Sequence, residues 1–315
     1  MGGNAGYGSG KRGRGKPRFP GCEEGEFMDK AELIQMETAM TSQNDFRKMA
    51  ESCRAALNQL AEQFRVLGIG EQIDFAKFYL YALVTHSTAI EGSTVTEREN
   101  ALMFDDGILP AGRNLTEQLM NLDLKKAYEQ AFALLATGRE LTVQDLQALS
   151  AAVMKNTGSQ YNTILGSFDA SAGDLRLVNV SAGRGGKSYL SWQKVPAALA
   201  RFCDWLCEAR RSAVTLDVAA QYEMTFEAHY RLVQIHPWAD GNGRVSRLLM
   251  NALQRERGLL PTIVQREHKE RYIAALEAAE QAGDSQPFLD FMGSEMAAYY
   301  RICIAEYQAS MVKEE

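Results

Sequence analysis

Residues 236 to 247 read His-Pro-Trp-Ala-Asp-Gly-Asn-Gly-Arg-Val-Ser-Arg. They put a base (His236), a carboxylate suited to a hard cation (Asp240), a Gly-Asn-Gly turn (Gly241, Asn242, Gly243) and two arginines (Arg244, Arg247) within one loop and one helical turn. An imidazole titrates near neutrality, which suits it to take a proton from a nucleophile. A glycine-rich loop that enters a helix aims free backbone N–H groups at one point and so attracts phosphate. One carboxylate plus phosphate oxygens is a usual way of holding Mg²⁺. The chemistry these types can do together is to hold a polyphosphate and attack it with a nucleophile.

The elements that must position them are helices. Residues 217 to 234 carry Val218, Tyr222, Phe226 and Leu232 at helical spacing. That helix should stop near His236, because a residue before proline is pushed out of the helical region. A second helix is expected to begin at 242–244 and run to Arg257, with Gly258 as its stop. Arg244 and Arg247 then share a face in its first turn, where the macrodipole disfavours each cation by a few tenths of a kcal/mol. Two cations there make sense if a dense anion sits between them. The planar guanidinium fork matches phosphate oxygens.

This stretch resembles the motif of the Fic family, His-Pro-Phe-x-Asp-Gly-Asn-Gly-Arg-x-x-Arg, with Trp238 where Phe is usual. The resemblance implies a mainly α fold, a Fic-type helical bundle with one β-hairpin flap and an N-terminal helical extension. It implies an adenylyltransferase that moves AMP from ATP to a hydroxyl side chain of a target protein. In that reading His236 deprotonates the hydroxyl and Asp240 holds Mg²⁺. Asn242 and the amides of the Gly241–Gly243 loop hold the α-phosphate, and Arg244 and Arg247 hold the outer phosphates. Gly243 stands where the phosphorylating, Doc-like branch has Lys, which places the chain on the AMP-transfer side. Such transfers work through positioning and charge neutralisation.

Far upstream, residues 71–91 form a helical pattern ending in Ser87-Thr88-Ala89-Ile90-Glu91-Gly92. A carboxylate in the last turn opposes the helix dipole, so Glu91 calls for a cationic partner elsewhere. The stretch is similar to the family's inhibitory motif, Ser/Thr-x-x-x-Glu followed by Gly or Asn. The resemblance pairs Glu91 with Arg247 and implies that Ser87, Glu91 and Gly92 form a brake on γ-phosphate placement.

Residues 173–180 and 187–190, either side of the glycine turn at 183–186, read as a β-hairpin. The resemblance makes it the flap that registers a target segment by strand addition, through Val178, Asn179, Val180, Ser188 and Tyr189. Tyr272, in the helix after the motif, is the candidate for the nucleotide base pocket.

Composition bounds the rest. The chain has 315 residues, 46% hydrophobic, enough for one large domain or two modest ones. No apolar run approaches the roughly 18–20 residues of a membrane span, so no membrane partner is expected. Five cysteines (22, 53, 203, 207, 303) lack metal spacing and read as reduced thiols. With no secretory signal, the expected location is cytoplasmic. The first 27 residues are rich in Gly and basic residues and are expected to be disordered. They read as a leader or an over-extended start rather than a nucleic-acid arm, because the rest of a chain at −6 is acidic.

The expected organisation is a tail (1–27), a helical region carrying the inhibitory helix at about 72–92 (28–140), a catalytic core (141–300) and the end of a last helix (301–315). The implied partner is a protein with a Tyr, Ser or Thr hydroxyl, with the chain itself a further acceptor (autoAMPylation) and a homodimer left open. The alternatives are a bifunctional enzyme that also removes AMP (deAMPylation), or a nucleotide-binding helical scaffold whose catalysis has lapsed.

Overall fold

The computed structural model describes residues 43–72, 78–182 and 188–312. The tail, the start of the expected helical region over 28–140 and the tip of the expected flap lie outside the described residues. Ten α-helices and one short antiparallel hairpin make up the regular structure of the part described.

Two helices carry the architecture. The inhibitory-motif helix, α2 (Phe78–Ile90), is mostly apolar, and ten of its 13 residues are buried. The motif helix, α8 (Asn242–Glu256), is buried on every face. A helix of that kind belongs in the middle of a domain. Both straddle two cores. Leu80, Leu83 and Val84 of α2 meet Leu248 and Leu249 of α8 in one core, with Tyr128, Leu146, Leu199 and Trp238. Tyr79 and Ile90 of α2 meet Met250 of α8 in the other, with Phe226, Tyr272, Phe288 and Tyr300.

The first core is walled by α4 (Leu115–Leu135), α5 (Val143–Val153) and α6 (Val195–Ser212), the second by α1 (Gln43–Val66), α9 (Lys269–Ala282) and α10 (Gln286–Val312). Helix α7 (Val218–Ile235) lies between them, with Leu232 facing one core and Phe226 the other. Burial of this kind is worth about 25 cal/mol per Å² of apolar surface. The starts follow local chemistry. Thr142 caps α5 through a reciprocal pair with Asp145, and Asp217 caps α7 by accepting from Ala220 N–H at 2.8 Å.

The turn after α2 is fixed by buried amides. Asn121 of α4 accepts from Thr88 Oγ1 at 2.9 Å and donates to Ser93 Oγ at 3.1 Å. Asn100, in the short helix α3 (Glu97–Ala101), donates to the same Asn121 oxygen at 2.9 Å. Gly92 follows Glu91 with φ of 102°, a conformation that other residues rarely take.

The expected hairpin over 173–190 is corrected by the structure. The two-stranded ladder among the described residues runs instead over β1 (Gln160–Thr163) and β2 (Gly166–Asp169), in register from Gln160–Asp169 to Thr163–Gly166. Its tip exposes Ile164 and Leu165. Among the described residues the 173–190 arm shows an isolated bridge, Ser181 to Ser188, and a bond from Tyr189 N–H to Val180 C=O at 3.0 Å. Arg176 joins the two limbs as well. Its guanidinium donates to Val178 C=O and to Leu190 C=O, so a side chain spans the arm where ladder bonds were expected.

Candidate active site

The motif loop connects α7 to α8 and is closed from within. Helix α7 ends at Ile235, and His236 takes the left-handed conformation, φ 50°, as its C-cap. The following proline makes continuation of the helix unfavourable. Trp238 is fully buried and donates its indole N–H to Gly173 C=O at 3.2 Å. Asn242 spends its side chain on the loop itself: Oδ1 accepts from Trp238 N–H at 3.1 Å and Nδ2 donates to Trp238 C=O at 3.0 Å. The side chain thus clasps the loop from within. Gly241 is the N-cap of α8, with φ of 81°, and a Cβ there would meet Met154 Sδ at 2.7 Å. The first backbone N–H groups of α8 have no partner inside the helix.

The His236 imidazole is largely buried. Its Nδ1 lies 3.3 Å from Val233 C=O, which accepts hydrogen bonds only. That assigns the proton to Nδ1 and leaves the Nε2 lone pair open. Tyr189 stacks on the ring, centroids 3.7 Å apart and planes at 16°. Burial pushes the imidazole down to about 4, aided by the nearby Arg176 charge and opposed by the bond to Val233. The ring is thus neutral, and so a competent proton acceptor, throughout the neutral range.

Both motif arginines are 3% exposed, but they differ in what they hold. Arg247 donates Nε to Ser87 Oγ at 2.9 Å and Nη2 to Ser87 C=O at 3.0 Å. Its Nη2 also lies 2.6 Å from Glu91 Oε1. Arg244 reaches Asp240 Oδ1 at 3.4 Å through Nη2, while its Nε and Nη1 are buried with no partner among the described residues. Glu91 is one-third exposed on its side chain. Burial works to raise its pKa, but Arg247, with Arg244 and Lys269 farther off, outweighs burial and holds it below the usual carboxylate range.

Gly243 locates Glu91 on the helix end. A Cβ at Gly243 would lie 3.0 Å from both Glu91 Oε1 and Arg247 Nη1. The carboxylate of α2 therefore sits against the N-terminal turn of α8, where an anion is favoured by dipole and free amides alike.

Asp240 accepts from Gly241 N–H at 2.6 Å, and its side chain is 57% exposed at the mouth of the loop. No group of three or more His, Cys, Asp or Glu fit to hold a metal occurs among the described residues. The donor set here is one carboxylate beside unpartnered guanidinium nitrogens, which fits a cation only when phosphate oxygens share it. Tyr272, the base-pocket candidate, packs inside the second core. It is 2% exposed, shares a hydrogen bond of 2.9 Å with His229 Nε2, and lies with its ring under Arg247 at 5.9 Å.

Sequence reasoning named His236, Asp240, Arg244, Arg247, Ser87 and Glu91, and the structure brings them to one place. It named Val178, Asn179, Val180, Ser188 and Tyr189 on the arm. Asn179 Oδ1 accepts from Trp192 N–H at 3.0 Å, and Tyr189 stacks on His236. It passed over Arg176 as part of the site. The one signal in the sequence is a cation inside the Leu-Arg-Leu-Val run of 175–178.

Fold and site together define a helical protein with an anion cradle at the start of a buried helix and a histidine at the mouth of that cradle. Residues 140–254 match the model of the Fic/DOC family, and by this domain the chain belongs to that family. The protein adenylyltransferase Fic of Drosophila willistoni is 30% identical over 254 residues, 79% of this chain and 46% of the relative. The protein adenylyltransferase fic-1 of Caenorhabditis elegans is 29% identical over 224 residues, 70% of this chain and 40% of the relative. The chain thus spans less than half the length of these curated relatives. In fold it is similar to Fic-1 (residues 134–508) from C. elegans, with a TM-score of 0.66 at 22% identity over 89% of this chain and 78% of that one. It is likewise similar to a Fic domain containing signaling protein from Bacteroides thetaiotaomicron, with a TM-score of 0.67 at 19% identity over 81% of this chain and 97% of that one. No helix among the described residues is long and apolar enough to cross a membrane.

Proposed function

We propose that this chain is a protein adenylyltransferase that moves AMP from ATP to a hydroxyl side chain of a target protein, and that Glu91 holds it off. The observation that carries the reading is the Glu91–Arg247 pair at 2.6 Å against the first turn of α8. A carboxylate of the protein's own sits where a phosphate would be drawn, on an arginine that a phosphate would need.

In the released state the phosphates lie along the start of α8, with Arg244 and Arg247 on the outer ones. Asp240 is the residue that would hold Mg²⁺, which supplies charge neutralisation of the phosphates. His236 Nε2 takes the proton of the target hydroxyl as its oxygen bonds to the α-phosphorus, and pyrophosphate departs. The buried, neutral imidazole supports that role. The curated relatives' names support AMP as the group moved.

The experiment is incorporation of label from α-labelled ATP into protein in a cell lysate. Wild type should incorporate little, and Glu91→Gly at least about tenfold more, the equivalent of about 1.4 kcal/mol of barrier. Adding His236→Ala to Glu91→Gly should lower incorporation by about 10²–10⁴-fold while ATP still binds. Incorporation that Glu91→Gly leaves unchanged would remove Glu91 as a brake. Incorporation that survives His236→Ala would remove His236 as the base.

A further inference from the structure

Arg176 is among the largest fully buried side chains of the protein, at 1% exposure. Its Nε donates to His236 C=O at 2.7 Å, its Nη1 to Val178 C=O at 2.7 Å and its Nη2 to Leu190 C=O. Its own backbone N–H donates to Pro237 C=O at 3.1 Å. All of these acceptors are carbonyls. A guanidinium buried among carbonyls is costly compared with one paired to a carboxylate, so what it fastens is informative. It fastens both limbs of the 176–190 arm to the peptide units of His236 and Pro237.

The second attachment is Tyr189. Its N–H to Val180 C=O sets the end of the arm, and its ring lies flat on the imidazole at 3.7 Å. The imidazole is therefore held through its backbone at φ 50°, through Nδ1 on Val233 C=O, and on one face by Tyr189. A stack on the face of the ring leaves the in-plane lone pair of Nε2 unobstructed. It also removes water from that face and confines ring rotation.

We propose that Arg176 and Tyr189 are positioning residues for His236, a two-point latch that holds the arm onto the imidazole and keeps its Nε2 aimed and dry before any target arrives. The proposal rests on the reading of His236 as the base. It gives the arm a task distinct from registering a target segment. Neither residue needs to touch ATP or the target hydroxyl. Preorganising a proton acceptor in this way spares the reorganisation that would otherwise add to the barrier.

The test uses the full chain with ¹⁵N-labelled histidine. Four histidines are present, and His236→Ala assigns the one in question. Tyr189→Ala should move the titration midpoint of His236 upward from about 4, toward the ordinary range near 6.5. Arg176, Asp240 and Glu91 are the charged groups that act on this imidazole, and they are the same in every Tyr189 variant, so the change reads the stack. In the Glu91→Gly background, Tyr189→Ala should lower kcat about tenfold with the KM for ATP unchanged. Tyr189→Phe, which keeps the ring, should restore both values. Arg176→Lys, with helical content unchanged by circular dichroism, should shift the titration in the same direction.

A His236 titration that is the same in wild type and Tyr189→Ala would overturn the part given to Tyr189. The same result for Arg176→Lys would overturn that given to Arg176. If no variant transfers AMP but the titration moves as expected, the latch stands and the reading of His236 as a base in AMP transfer falls.

Discussion

Arg244 and Arg247 leave α8 three residues apart, in the same turn and at the same burial, and yet their surroundings are opposite. Arg247 is satisfied by α2: a hydroxyl and a carbonyl from Ser87 and a carboxylate from Glu91. Arg244 has one long contact to a half-exposed aspartate, and two buried nitrogens with no partner among the described residues. A buried, unmet guanidinium N–H costs about 1–3 kcal/mol. The cradle therefore has one arginine that already holds an anion and one that lacks it. The difference teaches what α2 contributes. It packs both cores, and the residue after it brings a carboxylate to one arginine of the pair while the other keeps buried nitrogens without a partner among the described residues.

The comparison can be broken by stability. Arg247→Met would strand Glu91 without its partner, a kind of change that is strongly destabilising when the remaining charge is fully buried. Glu91 is one-third exposed, so the expected loss is about 2 kcal/mol, read as a lower Tm in thermal melts. Arg244→Met removes unmet donors and should leave stability within about 0.5 kcal/mol of wild type or raise it. Equal losses in the two variants would show that the arginines are not different in kind. Adding ATP should raise the Tm of wild type more than that of Arg244→Met, because Arg244 is the half of the site still open.

A smaller effect sharpens the Arg247 side. Ser87→Ala removes the Oγ that accepts from Nε but keeps the carbonyl that accepts from Nη2. The loss of one such bond is worth about 1 kcal/mol. AMP incorporation should rise a few-fold, well short of Glu91→Gly. A rise as large as that of Glu91→Gly would place the brake in Ser87 rather than in the carboxylate.

The helical frame was legible because its signals are local. Pro237 stops α7, Gly258 follows the end of α8, and Ser87 to Gly92 marks the end of α2. The chemistry of the motif was legible because its residue types sit next to one another in sequence. What was not legible came from side chains acting over long separations. Nothing near Arg176 says that it will reach Leu190 and His236, and those bonds tie the arm to the motif loop. The hairpin at 160–169 turns on Ile164 and Leu165, which are not turn residues, so the turn signals of 183–186 outweighed it. Nor does the sequence say that the Asn242 amide will close the loop onto Trp238. Nothing near Tyr272 says that it will meet His229 and lie under Arg247.

The central claim is that Glu91 restrains the site as an anion placed on Arg247 at the start of α8. Glu91→Gln tests it most directly, since it keeps the size of the side chain and removes its charge. Incorporation of label from ATP should rise in Glu91→Gln to within a few-fold of Glu91→Gly. Incorporation that stays at the wild-type level in Glu91→Gln while Glu91→Gly is active would contradict the claim and make the brake one of bulk rather than charge.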